Sequence, residues 1–252
     1  LRSPRADRGT MMAADWMRFL NERDREVLRA LGFGARMGFG ERPALLIIDT
    51  NYEFCGERAL PILESIRQWR GSCGEEGWAA IAVMKRLIGV AHEKGLPVFY
   101  STNTRREDRW DAGSWRWKSA GERAPGPRDS RVDDIVAEIA PLPQDVIIRK
   151  TKPSVFFGTP FLSYLTLLKV DSLIVCGGTT SGCVRATVLD AFSENIRCAV
   201  VAEGCFDRVE VSHAMNLVDM QTKYADVIDA EEASRFIGGL ESGMFEIPAS
   251  RE

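Results

Sequence analysis

Six short apolar runs alternate with stretches of helical period along most of this chain, and that alternation predicts an α/β fold. The runs fall at residues 44–48, 96–100, 146–148, 173–176, 198–202 and 226–228. Strands separated by helices imply parallel pairing through right-handed crossovers, with helices on both faces of the sheet. The expected architecture is three-layer α/β/α, built on a six-stranded, mostly parallel, Rossmann-like sheet. The chain has 252 residues, and 45% of them are hydrophobic. That is enough for one large α/β domain, or two small ones, with a sizeable core.

Composition narrows the function classes. The formal net charge is -3 and the pI is about 5.7. Nucleic-acid binders usually carry a basic excess, so that class is disfavoured. Six cysteines are too few for a disulfide scaffold, and several lie in apolar runs as reduced thiols do. A cytosolic setting is expected. No apolar run approaches the roughly 18 residues of a membrane span, and no signal-peptide pattern opens the chain.

Taken in order, residues 1–40 are the least regular. Residues 1–10 are Arg-rich and stand outside the fold argument; 15–31 mix apolar and charged residues at helical spacing. The expectation is an N-terminal extension and docking arm over 1–40, a main domain over 41–240 and a C-terminal tail over 241–252. Pro43 opens five apolar residues, the mark of a central strand covered on both faces. Asp49 ends that run, where a cap for the next element is as good a reading as chemistry. Residues 59–94 read as helix with a break at 71–74, and 96–100 as the second strand.

Residues 102–129 are polar, Arg-rich and carry Trp110, Trp115 and Trp117. A loop this long is uncommon in a compact domain unless it has a function. Its aromatics either close over a site or anchor the loop to the body or to another subunit. A short helix is expected over 132–139. The third strand is 146–148, and Lys150 follows it. Pro160 suits the first turn of the next helix, where a missing N–H does no harm. The fourth strand breaks on Gly177-Gly178-Thr179-Thr180-Ser181-Gly182. Val184, Thr187, Val188, Ala191 and Phe192 then fall on one face of a helical period. Helices over 211–223 and 230–238 flank the sixth strand.

The chemistry gathers at the carboxyl edge of this sheet, where ligands of such sheets bind. Cys183 sits in the first turn of a helix just beyond a strand. Unpaired N–H groups and the positive end of the helix dipole favour a thiolate there. The same N–H groups suit a negative substrate oxygen. The competing reading is a small buried hydrophobe. Asp49 and Lys150 follow strands one and three and reach the same edge. A nucleophilic thiol needs a base for its proton and a positive charge for its thiolate, and Asp49 and Lys150 supply them. His92 and His213 are the only histidines, and no H-x-H or C-x-x-C spacing occurs, which argues against a protein metal site. Gly177-Gly178 lacks the rest of a G-x-G-x-x-G fingerprint, so a dinucleotide site is disfavoured.

Three motifs now carry a resemblance. Residues 44–49, Lys150-x-x-x-Ser154-x-Phe156 with Gly158-Thr159, and Gly178-Thr179-Thr180-Ser181-Gly182-Cys183 resemble those of the isochorismatase-like cysteine hydrolases, in order and roughly in spacing from Gly38 to Phe236. Within that superfamily the wording is most similar to the N-carbamoylsarcosine amidohydrolase branch. Gly38-Phe39-Gly40, residues 72–78, Val184-Arg185 after the nucleophile, and 213–227 support it. The resemblance implies a catalytic triad of Asp49, Lys150 and Cys183 and a non-proline cis peptide at Gly178–Thr179 that aims the Thr179 N–H at the substrate oxygen. It also implies an arginine for the substrate carboxylate at Arg208, whose alternative is a surface ion pair. Thr180 and Trp115 join Arg208 as substrate-binding candidates. The metal motif of nicotinamidase relatives has no match here, and Cys183 argues against vinyl-ether cleavage.

The function expected is C–N hydrolysis of a small carboxylated amide or ureido compound, without a cofactor, by a homo-oligomer (dimer or tetramer). Maleamate, ureidoacrylate or biuret-type amides are alternatives within the enzymes. A non-catalytic binding or scaffold protein on the same fold is the alternative from another class.

Overall fold

The computed structural model describes residues 15–108, 110–118 and 129–246. The expected arm before residue 15, the middle of the tryptophan loop and the end of the tail lie outside them. The ordered elements run α1 (Glu22–Leu31), β1 (Pro43–Ile48), α2 (Ile62–Gln68), α3 (Glu75–Lys94), β2 (Val98–Asn103), β3 (Val146–Lys150), α4 (Phe161–Leu168), β4 (Ser172–Gly178), α5 (Arg185–Ser193), β5 (Arg197–Phe206), α6 (Glu210–Lys223), β6 (Asp226–Ile228) and α7 (Ala230–Gly238). The six strands form one sheet in the order β3-β2-β1-β4-β5-β6, and every pairing is parallel. Among the described residues, no helix is long and apolar enough to cross a membrane.

The sheet is covered on both faces, which is why β1 and β4 read as unbroken apolar runs: every residue of each is buried. Leu45 and Ile47 of β1 and Ile174 and Cys176 of β4 point to one face, where Met84, Leu87 and Ala91 of α3 and Ala233 and Ile237 of α7 meet them. Ala44, Leu46, Leu173 and Val175 point to the other, against Phe161 and Leu165 of α4, Val188 of α5 and Leu217 of α6. Each large side chain buried this way stabilises the fold by about 1.5–3 kcal/mol. At the edge, β3 alternates instead, with Ile148 and Lys150 buried and Ile147 exposed.

Three expectations are corrected. Residues 132–136 are not helical; only Ala137–Ile139 makes a 3-10 turn. Their backbone bonds go elsewhere: Ile135 bridges Asn51, Val136 N donates to Thr50 O, and Asp134 O and Val132 O accept from Tyr52 and Glu53. A chain that satisfies its backbone across space has no need of a helix. Lys150 is the last residue of β3 rather than the residue after it. Phe192 leaves the buried face of α5 and lies edge-on to Tyr224, 44% exposed. Residues 36–39 run along their own domain. Met37 and Gly38 donate backbone N–H bonds to Asp226 at 3.0 and 2.8 Å, and Phe39 stacks on Phe236 at 3.7 Å. Helix α1, capped by Asn21, buries no residue.

Gly177 of β4 pairs with Ile48 of β1. Gly177 has φ +112°, and a Cβ there would overlap the Ile48 backbone. Gly177→Ala should therefore lose more than about 3 kcal/mol, through strain and overlap together. Gly89→Ala meets open space on an exposed turn of α3 and should gain about 0.5–1 kcal/mol. Urea unfolding midpoints measure both, and equal midpoints for Gly177→Ala and wild type would refute the close approach.

Candidate active site

Strand β1 delivers Asp49 to the crevice where the strand order turns back, between β1 and β4. Asp49 is fully buried and has φ +47°, a left-handed conformation that costs a non-glycine residue about 1–2 kcal/mol. The surroundings hold it there. Its N–H donates to Ser101 O at 3.0 Å, and the Ser101 hydroxyl donates to Asp49 Oδ1 at 2.8 Å. The other carboxylate oxygen, Oδ2, accepts from Lys150 Nζ at 2.6 Å.

Lys150 comes from the end of β3, and its side chain is almost wholly buried. Its ammonium donates to Asp49, to Lys152 O at 3.2 Å and to Cys183 Sγ at 3.4 Å. Burial pulls this lysine down, but the charges and hydrogen bonds of Asp49 and Cys183 pull it up further, so it is held above its ordinary range.

Cys183 lies on the turn that links β4 to α5. The Gly178–Thr179 peptide is cis. Residues Thr180–Val184 make a π-helical turn that runs into α5. Asp207 Oδ2 accepts from Ser181 N at 2.7 Å, and Asp207 Oδ1 accepts from Arg208 N at 2.8 Å, so the end of β5 clamps the turn. The thiol itself is pushed well up. Burial is the main cause and the Asp49 carboxylate adds to it, while Lys150 pulls the other way with less effect. The site thus sets the thiol beside a carboxylate and an ammonium, with the upward pushes on it the stronger.

A cavity of about 1030 Å³ opens over this group, lined by Cys183, Lys150, Thr179, Arg208, Trp115 and Phe54 among others. Arg208 is exposed, with its guanidinium 5.7 Å from the Phe54 ring centre. Trp115 belongs to a single helical turn, Trp115–Lys118, on the cavity wall, while Trp110 and Trp117 point to solvent. Thr180 is not on this wall. It is fully buried, and its hydroxyl is taken by Phe206 O and His213 Nδ1. The side chain faces the body of the protein and not the cavity, which corrects its expected place among the substrate contacts. Asp49 also stays behind the wall and reaches the cavity only through Lys150 and Cys183. Among the described residues, no three of His, Cys, Asp and Glu stand close enough to hold a metal ion.

Sequence reasoning missed Ser101, Asp207 and His213. Ser101 is one polar residue inside β2 and gives no periodic signal; only its pairing with Ile48 puts it beside Asp49. Asp207 was visible after strand five, but only as a partner for Arg208 in a surface ion pair, not as the clamp on the nucleophile turn. His213 reads as one more polar residue of a helix.

Comparison with known proteins adds to this geometry. A model of the isochorismatase domain matches residues 43–232. An N-carbamoylsarcosine amidase from Arthrobacter sp is 33% identical over 217 residues, covering 83% of this chain and 76% of that protein. A maleamate amidohydrolase from Pseudomonas putida is 30% identical over 205 residues, covering 80% of this chain and 89% of that protein. The solved structure of N-carbamoylsarcosine amidase from Thermoplasma acidophilum superposes with a TM-score of 0.59 at 23% identity, over 75% of this chain and 97% of that one. This last likeness is one of fold.

Thiols are alkylated through their thiolate fraction. With its thiol held up, Cys183 should react faster at each step of pH through and beyond about pH 9. Lys150→Met removes a downward pull, so its profile should move to higher pH. Asp49→Asn removes an upward push, so its profile should move to lower pH. Iodoacetamide labelling with peptide mass spectrometry reads these shifts. Superimposable profiles would mean that neither charge acts on the thiol.

Proposed function

The chain belongs to the isochorismatase family, and from that premise we propose that it is a cysteine-dependent amidohydrolase of a small carboxylated amide or ureido compound. One observation supports this reading most. Asp49, Lys150 and Cys183 come from three separate strand ends, and Lys150 Nζ touches both partners, at 2.6 and 3.4 Å, at the wall of an open cavity. A structural ion pair has no need of a thiol or a cavity.

In this reading the substrate carbonyl enters beside Cys183. As sulfur attacks carbon, its proton passes to Asp49, which already raises the thiol through charge and a hydrogen bond. Lys150 stabilises the sulfur as it becomes negative and keeps Asp49 oriented. The carbonyl oxygen becomes an oxyanion against the N–H groups of Thr179 and Cys183. The C–N bond then breaks, and ammonia leaves with the proton from Asp49. Water adds to the thioester or thiocarbamate, gives a proton to Asp49, and releases the acid and the thiol. Atoms balance with water alone.

The substrate class follows from Arg208, a guanidinium on the cavity wall whose planar fork suits a carboxylate. The relatives named for N-carbamoylsarcosine and maleamate bracket the choice. An ammonia-release screen over N-carbamoyl amino acids, maleamate, ureidoacrylate and biuret separates them. Silence across the whole set would favour a scaffold protein.

Two outcomes are expected. Cys183→Ser should lose nearly all turnover while keeping its fold by circular dichroism, because a serine hydroxyl has no strong base to activate it; full turnover would refute the nucleophile. Arg208→Ala should raise KM for a carboxylated substrate by about one to two powers of ten, as expected for losing a charge-assisted pair of roughly 1.5–3 kcal/mol. Its kcat should change little, since that contact is made before and during reaction. Neutral amides that are better substrates than acids, with a silent Arg208→Ala, would move the assignment toward biuret-like compounds.

A further inference from the structure

Thr180 is fully buried two peptide bonds after Gly178, on the turn that carries Cys183. Its Oγ1 lies 3.1 Å from Phe206 O and 2.8 Å from His213 Nδ1. A hydroxyl has one proton, and a carbonyl oxygen only accepts. The arrangement that satisfies every group sends the Thr180 proton to Phe206 O. His213 must then donate its own Nδ1–H to Thr180 Oγ1. This sets the neutral tautomer, with the proton on Nδ1 and a bare Nε2. Burial holds the imidazole below its ordinary range, with Asp207 opposing, so the neutral form prevails at neutral pH. The Nδ1–H is present in both charge states, so protonation does not break the bond.

The nucleophile turn is thus tied at two points to elements outside the strand that delivers it. Asp207 holds Ser181 N, and His213, in the first turn of α6, holds Thr180. We propose that His213 is a positioning residue: through Thr180 it sets where the turn aims its backbone N–H groups at the reacting carbonyl. The inference rests on Cys183 being the nucleophile. His213 touches no reacting atom; it acts at one remove.

Two reagents separate positioning from mere support. Iodoacetamide alkylates sulfur by displacement at carbon and forms no oxyanion. 4-Nitrophenyl acetate acylates sulfur through a tetrahedral oxyanion: the S–C bond forms, the bond to 4-nitrophenolate breaks, and Asp49 takes the thiol proton. In His213→Phe, acylation of Cys183 should slow by about tenfold to a hundredfold, while alkylation stays within about twofold of wild type. His213→Asn should recover most of the acylation rate, because its amide N–H falls near the place of Nδ1. His213→Gln, which reaches the place of Nε2, should not. The double variant His213→Phe/Thr180→Val should be no slower than the slower single one, as for two residues of one chain of bonds.

Wild-type acylation in His213→Phe would overturn the proposal, as would equal loss of both reactions in all three His213 variants. If His213→Phe does not fold, the decision passes to Thr180→Ser, expected near wild type, against Thr180→Val, expected to acylate slowly; equal rates for these two would overturn it. Cys183→Ser keeps the two claims apart. Acylation of the same peptide in Cys183→Ser at the wild-type rate sinks the nucleophile. Silence there, with a wild-type His213→Phe, sinks the positioning role alone.

Discussion

Taking a carboxylate and an ammonium out of water costs several kcal/mol for each. Asp49 and Lys150 are both out of water, and their 2.6 Å contact, with the hydrogen bonds around it, offsets that cost. Neither tolerates the loss of the other, since an unpaired buried charge costs about 3–5 kcal/mol. The pair therefore imposes conditions on everything around it. Ser101 must fill the second oxygen of Asp49, the Lys152 carbonyl must take another Lys150 proton, and β1, β2 and β3 must stay in register so that these groups meet. A left-handed Asp49 is one consequence of meeting all these conditions at once.

The same pair governs the thiol. Cys183 lies beside a net-neutral couple, so burial and the Asp49 carboxylate push its thiol up more than Lys150 pulls it down. A protonated thiol is a poor nucleophile for stray electrophiles. In the proposed reaction, bond formation to a nearby carbonyl drives its proton onto Asp49, which would couple chemistry to binding. The other five cysteines are buried in the body of the fold and serve as small apolar residues.

The fold places this chemistry by topology. Asp49 and Lys150 are 101 residues apart in sequence, and Cys183 stands 33 beyond Lys150. Parallel strands put their carboxyl ends along one edge, and the reversal of strand order between β1 and β4 opens a crevice there. Gly177 permits the close approach of those strands, and Gly178 leaves room for the Phe206 ring. The turn between them and Cys183 is then clamped from β5 and α6, the elements packed beside it.

The sequence by itself determined the layers of this protein, the six strands and the edge at which Asp49, Lys150 and Cys183 emerge. These were legible because a central strand buried on both faces must be an apolar run, and because its end is marked by the first polar residue. The motif resemblance placed the chain in its superfamily on the same residues. Tertiary structure alone decided the rest. The helical pattern of 132–139 yielded to backbone bonds with the Asp49 loop; Thr180 turned inward to His213; Ser101 met Asp49 through strand register. Periodicity reports how a residue sits on its own element. Which side chains meet depends on register and on crossings between elements far apart in the chain, and no local pattern encodes those.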